Sequence, residues 1–280
     1  MQKAIQIPYD TLFELNSKFV SEAGFSAISI NYSEVNEMSE DGWKRITEHI
    51  HKVLDSNGLK CIQSHLPGYE FWDSSEIPDE AADFKNRQAI ISGAELGVKY
   101  GVIHPRTSFT SAFRTSKSIE DNKAILSGLL DCAIKCGTGI AVENLPIFPD
   151  CKDIIPFFSS NFEDIATLTD YFADERMGIC WDFGHANLMY WDQATAIDFL
   201  GKRIKCTHIH NNFTFYDDHC PPDTGTVDWG KVLGALKRTG YEGALTLETH
   251  CRIEEPSILQ SFFRHNFVCL EYLDRLMNGE

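Results

Sequence analysis

The chain lacks any apolar run close to the roughly 20 residues that are needed to cross a bilayer. Its first five residues also lack the long apolar core of a secretion signal, and their pattern predicts a strand. Paired cysteines are absent too, because the nine cysteines stand singly without any CxxC spacing. A dispersed, odd set argues against a disulfide framework. We therefore expect a cytoplasmic protein with no membrane contact.

Basic residues are scarce, since 25 Lys and Arg stand against 41 Asp and Glu, which gives a formal net charge of −16. Long contacts with a nucleic-acid backbone need clusters of Lys and Arg. The charge balance therefore disfavours nucleic acid as a partner. A bound metal ion can still reverse the sign of the potential inside one pocket.

No Gly/Ser linker or low-complexity tract divides the 280 residues, and strand and helix patterns alternate throughout. Strands are predicted at 3–8, 26–30, 59–64, 98–103, 139–144, 177–182, 204–210 and 243–249. Helices are predicted at 10–23, 40–57, 79–97, 116–137, 161–175, 192–201, 228–239 and 256–277. This alternation predicts an α/β fold, a single (β/α)8 TIM barrel that forms one domain over residues 1–280. A doubly wound open sheet is the alternative, but no GxGxxG turn follows the first strand.

Four short apolar runs end in residue types that bind metal ions, namely Glu143, Asp182, His208 and Glu248. Burying a carboxylate or an imidazole without a partner is costly. Because the carboxyl ends of parallel strands meet at one face of a barrel, we expect these four side chains to converge. Two glutamates, an aspartate and a histidine around one point are typical of a divalent-metal site.

Further histidines and acids follow the predicted strands on the same side: His65, His104, His185, His210, Asp217, His219 and His250. A lone histidine at a strand end is more often a hydrogen-bonded residue than a metal ligand. Asp182 alone is as easily the N-cap of a helix. Four strand-end ligands in succession make coincidence a poor explanation.

The motifs Val142-Glu143-Asn144, Asp182-Phe183-Gly184-His185, His208-Ile209-His210-Asn211 and Leu247-Glu248-Thr249-His250 resemble the xylose-isomerase-like barrel superfamily. That superfamily includes sugar phosphate isomerases and epimerases, inosose dehydratases and endonuclease IV. The resemblance implies one divalent ion (Mn²⁺, Mg²⁺, Co²⁺ or Zn²⁺) on Glu143, Asp182, His208 and Glu248. It also implies substrate contacts at His65, His104 and His185.

The implied reaction is the isomerisation or epimerisation of a small sugar or polyol, by proton abstraction next to a carbonyl through a metal-stabilised enediolate. Glu143 and Glu248 are the candidates to remove and return that proton. A glutamate acting as a base needs one oxygen free of the metal. The sequence leaves open which glutamate meets this condition, and a polyol dehydratase reaction remains an alternative.

Endonuclease IV offers a second interpretation, a zinc-dependent apurinic/apyrimidinic endonuclease with three Zn²⁺ and nine ligands. The chain has a candidate at all nine places, which are His65, His104, Glu143, Asp182, His185, His208, Asp217, His219 and Glu248. The acidic balance and the lack of Lys and Arg in the first two barrel loops favour sugar chemistry. Asp217 could equally lie in a loop whose acids face solvent.

Two smaller expectations concern the loops at the predicted barrel mouth. Arg252, after the eighth strand, is a candidate to bind a substrate carboxylate or phosphate. Aromatic residues in these loops could cover a sugar ring, pack in the core or form a homo-oligomer contact. They are Phe71, Trp72, Phe109, Phe148, Phe213 and Phe215.

Overall fold

The computed structural model describes residues 1–69, 79–108, 114–146, 157–189 and 192–279. Its eight strands are β1 (Lys3–Pro8), β2 (Ala27–Asn31), β3 (Lys60–His65), β4 (Tyr100–Ile103), β5 (Gly139–Glu143), β6 (Met177–Asp182), β7 (Ile204–His208) and β8 (Leu245–Leu247). They form one sheet in the order β7-β6-β5-β4-β3-β2-β1-β8, with every named pair parallel. A parallel bridge between Ile209 and Leu247 brings the two end strands together, so the sheet closes into a barrel.

The helices of the described residues are α1 (Phe13–Ala23), α2 (Glu40–Asn57), α3 (Glu80–Glu95), α4 (Arg114–Cys136), α5 (Phe162–Phe172), α6 (Phe183–Leu188), α7 (Gln193–Leu200), α8 (Trp229–Arg238) and α9 (Pro256–Asn278), with a 3₁₀ turn at Gly201–Arg203. None of these helices has the length and apolar character of a membrane span.

The predicted (β/α)8 barrel is confirmed, and all eight predicted strands and helices occur within a few residues of their expected bounds. The short helix α6 was not predicted, because six residues carry too little periodicity to be seen. Asp182 starts it, since its side chain accepts a hydrogen bond from the His185 amide at 2.6 Å. α6 therefore begins directly at the carboxyl end of β6.

Side-chain periodicity explains how the helices cover the sheet. In α8 the buried residues Trp229, Val232, Leu233 and Leu236 recur at helical spacing and face the core. A smaller group, Val102, Ala141, Cys180 and Cys206, packs separately on β4 to β7 inside the barrel. The eight cysteines of the described residues are free thiols, and Cys151 lies outside them.

Candidate metal centre

The carboxyl ends of β5 to β8 bring four ligand-type side chains to one point in the barrel mouth. Glu143, Asp182 and His208 are fully buried, and Glu248 is 7% exposed. His208 Nδ1 lies 3.1 Å from Glu143 Oε1, 2.9 Å from Glu248 Oε2 and 4.0 Å from Asp182 Oδ2. Candidate ligand atoms of all four residues lie within 4.8 Å of one another. The structure therefore brings together the four residues that the sequence selected.

The charge of this group fits a divalent cation. Three carboxylates meet here, and within the described part of the chain they form ion pairs with histidines alone. One buried oxygen of each, Glu143 Oε2, Asp182 Oδ2 and Glu248 Oε2, accepts no hydrogen bond. Buried carboxylate oxygens without a partner are costly unless a cation satisfies them. Oxygen and imidazole donors suit Mn²⁺, Mg²⁺, Co²⁺ or Zn²⁺.

Protonated histidines are the alternative source of positive charge. Burial alone disfavours the ionised form of Glu143, yet His208 and His104 hold its pKa well below the usual range. Burial likewise opposes protonation of His208, but Cys180, Glu248 and Glu143 raise its pKa well above 6.5. The site therefore demands positive charge, which either protons on the imidazoles or a metal ion can supply.

Asp182 combines the two roles that the sequence left open. Its Oδ1 caps α6, whereas its Oδ2 turns toward His208 without a hydrogen bond. Asn144 fixes the backbone here, because its Oδ1 accepts from the Asp182 amide at 2.7 Å and its Nδ2 donates to the Asp182 carbonyl at 3.0 Å. The N-cap and the metal-type position are thus compatible in one side chain.

Gln6 on β1 is a functional candidate that the sequence analysis missed. Its Nε2 donates a hydrogen bond to Glu248 Oε1 at 2.5 Å, and this leaves Glu248 Oε2 facing His208. A polar residue between Ile5 and Ile7, in a strand whose other residues after Lys3 are apolar, was the sequence signal that could have identified it. Such hydrogen bonds behind a metal ligand fix its orientation.

His65 and His104 lie beside the second oxygen of Glu143. Their Nε2 atoms are 3.5 Å and 3.3 Å from Glu143 Oε2. His65 Nδ1 donates a hydrogen bond to the Leu66 carbonyl oxygen at 2.9 Å, which directs Nε2 toward Glu143. His65 Nε2 also lies 3.3 Å from His104 Nε2, so the ligand atoms of the three residues face one another and this trio can also hold a metal ion.

A third group forms where the loop after β7 returns to the barrel mouth. His185 Nε2 and His219 Nε2 lie 3.2 Å and 3.1 Å from Asp217 Oδ2. Each ring donates its Nδ1 proton to a backbone carbonyl, of Asn144 for His185 and of Glu248 for His219. This second hydrogen bond is typical of histidines that bind metals. Asp217 therefore points into the mouth, and the solvent-facing interpretation of this acid is wrong.

The pKa values of this group show how strongly its members interact. Burial lowers the pKa of His219, but the hydrogen bond with Asp217 and the negative charges of Glu248 and Asp217 together outweigh burial and raise the pKa to about 9. Burial would raise the pKa of Asp217, yet His185 and His219 hold it well below the ordinary range. His210, 3.0 Å from Asp182 Oδ1, stacks on His219 at a centroid distance of 4.0 Å. His210 thus connects this group to the first one.

The remaining candidates of the loops lie outside these groups. Arg252 is exposed, and its positive charge partly offsets the rise that burial causes in the pKa of the Cys220 thiol. Phe213 and Phe215 are 50% and 65% exposed in the loop after β7. Phe71, Trp72, Phe109 and Phe148 lie outside the described residues.

A cavity of about 210 Å³ borders Glu248. Its polar lining includes Gln6, Asn16, Asn31 and His250, and apolar residues of β1, the following loop and α9 also line it. Gln6 Oε1 and Asn16 Oδ1 are buried acceptors without a hydrogen-bond partner. A small molecule rich in hydroxyl groups has the donors that these atoms lack.

The geometry defines a class of protein, a TIM barrel with metal-type ligands at the carboxyl ends of its strands. A family model described as xylose isomerase-like TIM barrel matches residues 17–263, and the chain belongs to this family. An uncharacterised protein of Sinorhizobium fredii, y4fM, is 34% identical over 247 residues, which are 86% of this chain and 71% of that protein. The 3-dehydro-D-guloside 4-epimerase of Escherichia coli is 24% identical over 247 residues, 80% of this chain and 87% of the enzyme.

Solved structures share the fold over the whole chain. D-psicose 3-epimerase, determined in the presence of D-fructose, has a TM-score of 0.76 at 14% identity and covers 100% of both chains. The IolI protein with a bound zinc atom has a TM-score of 0.71 at 18% identity and covers 98% of both chains. At such identities these likenesses show the fold.

Proposed function

We propose that this protein is a divalent-metal-dependent sugar isomerase or epimerase. The observation that carries the proposal is the group of Glu143, Asp182, His208 and Glu248, with three buried carboxylate oxygens that accept no hydrogen bond. The relatives that are named as sugar epimerases support the substrate class. A divalent ion bound there would polarise a sugar carbonyl and offset the negative charge that develops on its oxygen.

The two glutamates have the placement that moving a proton requires. Glu143 turns Oε1 toward His208 and Oε2 toward His65 and His104. Glu248 turns Oε2 toward His208 and offers Oε1 to Gln6. Each therefore has one oxygen on the His208 side and one directed away from it, and a base role requires that the metal be held through the first. We assign them as the pair that removes and returns the proton on the carbon next to the carbonyl.

We place the substrate in the cavity beside Glu248. Sugar hydroxyl groups would donate to Gln6 Oε1 and Asn16 Oδ1, which lack hydrogen-bond partners. We assign His104 and His185 to the reacting end because each lies 3.3 Å from an oxygen of Glu143. The barrel mouth is rich in acids and histidines rather than in Lys and Arg, which favours an unphosphorylated sugar over a sugar phosphate. Arg252 stays a candidate for a substrate anion.

Hydrogen exchange at carbon tests this reaction directly. The metal-stripped protein is reloaded separately with Mn²⁺, Mg²⁺, Co²⁺ or Zn²⁺ and incubated in D₂O with a panel of unphosphorylated ketoses. Nuclear magnetic resonance should show deuterium at the carbon next to the carbonyl, together with the epimer or aldose. Glu248→Gln should abolish the exchange, whereas Glu242→Gln, on the exposed segment before β8, should leave it unchanged. Loss of water without a recoverable isomer would instead indicate a polyol dehydratase.

The second candidate is a zinc-dependent abasic-site endonuclease, and a specific observation favours it. All nine ligand-type residues lie in three groups, which are His65, His104 and Glu143; Glu143, Asp182, His208 and Glu248; and His185, Asp217 and His219 beside His210. Three zinc ions in such groups could bind a phosphodiester and activate water. The net charge of −16 opposes an approach to DNA.

Metal content and two substitutions separate the candidates. The endonuclease requires about three zinc ions per chain and nicking of an abasic duplex, and both should be lost in Asp217→Asn and His219→Gln. The isomerase requires the four-residue group, so its turnover should persist with one metal ion in these variants. Nicking by the wild-type protein without deuterium exchange on any ketose would overturn our first proposal.

A further inference from the structure

A second cluster of metal-type ligands lies outside the barrel mouth, where the loop after β7 meets α9. It consists of Asp223, His265 and Cys269. His265 Nε2 lies 3.0 Å from Asp223 Oδ1, and Cys269 Sγ lies 3.6 Å from each of these atoms. Three different ligand atoms therefore form a compact triangle on a face that the proposed reaction does not use.

The spacing of the triangle matches tetrahedral zinc. With zinc bonds of about 2.0 Å to nitrogen and oxygen and about 2.3 Å to sulfur, tetrahedral geometry places nitrogen and oxygen about 3.3 Å apart. It places sulfur about 3.5 Å from either. The three observed distances differ from these values by a few tenths of an ångström. We infer that Asp223, His265 and Cys269 form a zinc-binding site distinct from the barrel-mouth groups.

The chain holds the three ligands in place before any metal binds. His265 and Cys269 are four residues apart on α9, so they lie on one face of the helix. Asp223 follows Pro222, whose carbonyl oxygen accepts hydrogen bonds from Asn211 Nδ2 at 2.9 Å and Trp229 Nε1 at 2.8 Å. Little ordering remains to be done on binding, which favours affinity.

The donor set selects the kind of metal and the coordination. One thiolate, one imidazole and one carboxylate suit Zn²⁺ and disfavour Mg²⁺ and Ca²⁺, which prefer oxygen alone. Asp223 and His265 are about half exposed, so water can take the fourth position. Binding releases the thiol proton of Cys269 and replaces the His265–Asp223 hydrogen bond by bonds to the metal.

A cysteine nucleophile of the Cys–His–Asp type does not explain the cluster. Such a relay uses the two nitrogens of the imidazole, one toward the thiol and the other toward the acid. Here Asp223 and Cys269 both lie against the same atom, His265 Nε2. The zinc site would instead tie the loop that carries Asp217 and His219 to α9, and would so brace one side of the barrel mouth.

Cobalt spectroscopy on the full chain tests the site without any substrate. Co²⁺ bound to a thiolate gives a charge-transfer band in the near ultraviolet that oxygen and nitrogen ligands do not give. We expect this band in the wild-type protein and its loss in Cys269→Ser and His265→Gln. Cys180→Ser is the matched control, because Cys180 is the thiol beside Glu143 and His208 and should not affect the band.

Zinc content provides the second measurement. After equilibration with limiting free Zn²⁺, Cys269→Ser and Asp223→Asn should hold one zinc ion fewer per chain than the wild type. Because His265 and Asp223 are exposed, their variants should fold normally, which circular dichroism can verify. The inference is overturned if wild type and Cys269→Ser hold equal zinc, or if the thiolate band depends on Cys180 rather than on Cys269.

Discussion

Gln6 offers the sharpest test of the metal centre, because it touches a candidate ligand and lies outside the ligand set. Replacing it with Met keeps the size of the side chain but removes the hydrogen bond to Glu248 Oε1. A hydrogen bond to a charged group contributes about 1.5–3 kcal/mol. In the metal-free protein Glu248 can relax toward His208 Nδ1, 2.9 Å away, so most of the loss should fall on the metal-bound state.

Since about 1.4 kcal/mol corresponds to tenfold in affinity, metal binding should weaken roughly 10- to 100-fold. Hydrogen bonds behind metal ligands in other proteins have effects of about this size. Titration of Mn²⁺ or Zn²⁺ against a competing chelator measures the change. Gln63→Met is the matched control, because Gln63 is buried on β3 and contacts Thr246 instead of a ligand. The reasoning would be refuted if the Gln6→Met variant bound the metal ion with an affinity within twofold of the wild type.

Two further predictions concern His219 of the third group and the neighbouring His210. In the metal-free protein the pKa of His219 is raised from 6.5 to about 9, so its stabilising proton is fully present below pH 6.5 and is lost as the pH rises through 9. The free energy of unfolding should therefore be about 3 kcal/mol lower at the higher pH. Chemical denaturation at pH 6.5 and at pH 9 measures this difference, and Asp217→Asn should remove it. Gly184→Ala should destabilise the protein by roughly 1–3 kcal/mol, because the new methyl group would overlap the His210 ring. Gly234→Ala on α8, where the added methyl group would meet only Arg238 Nη1 at 3.8 Å, should be neutral or stabilising, and thermal unfolding of both variants measures the difference.

The alternation of apolar strands and amphipathic helices made the barrel predictable, because both periodicities are written locally in the chain. The four strand-end residues could be selected for the same reason. A charged or imidazole side chain directly after a buried run has few ways to be satisfied, and in a parallel barrel all such ends share one face. Glu143 and Glu248 carried this signal most clearly, since each follows aliphatic or small residues.

The contacts between distant segments could not be predicted from the sequence. Gln6 and Glu248 are 242 positions apart, and only closure of the barrel between β1 and β8 makes them neighbours. Asp217 could face solvent or the mouth until the loop after β7 was placed against His185 and His219. The cluster of Asp223, His265 and Cys269 joins a loop to the last helix, and the local spacing of His265 and Cys269 gives no sign of Asp223.

The sequence by itself thus determined the fold and the residue types at the strand ends, because hydrophobic periodicity and burial cost act over a few residues. Tertiary structure decided which polar atoms face one another, which oxygens stay without partners and which nitrogen of each histidine points inward. Those choices depend on how eight strands tilt and close around a common axis, and that geometry is a property of the whole chain.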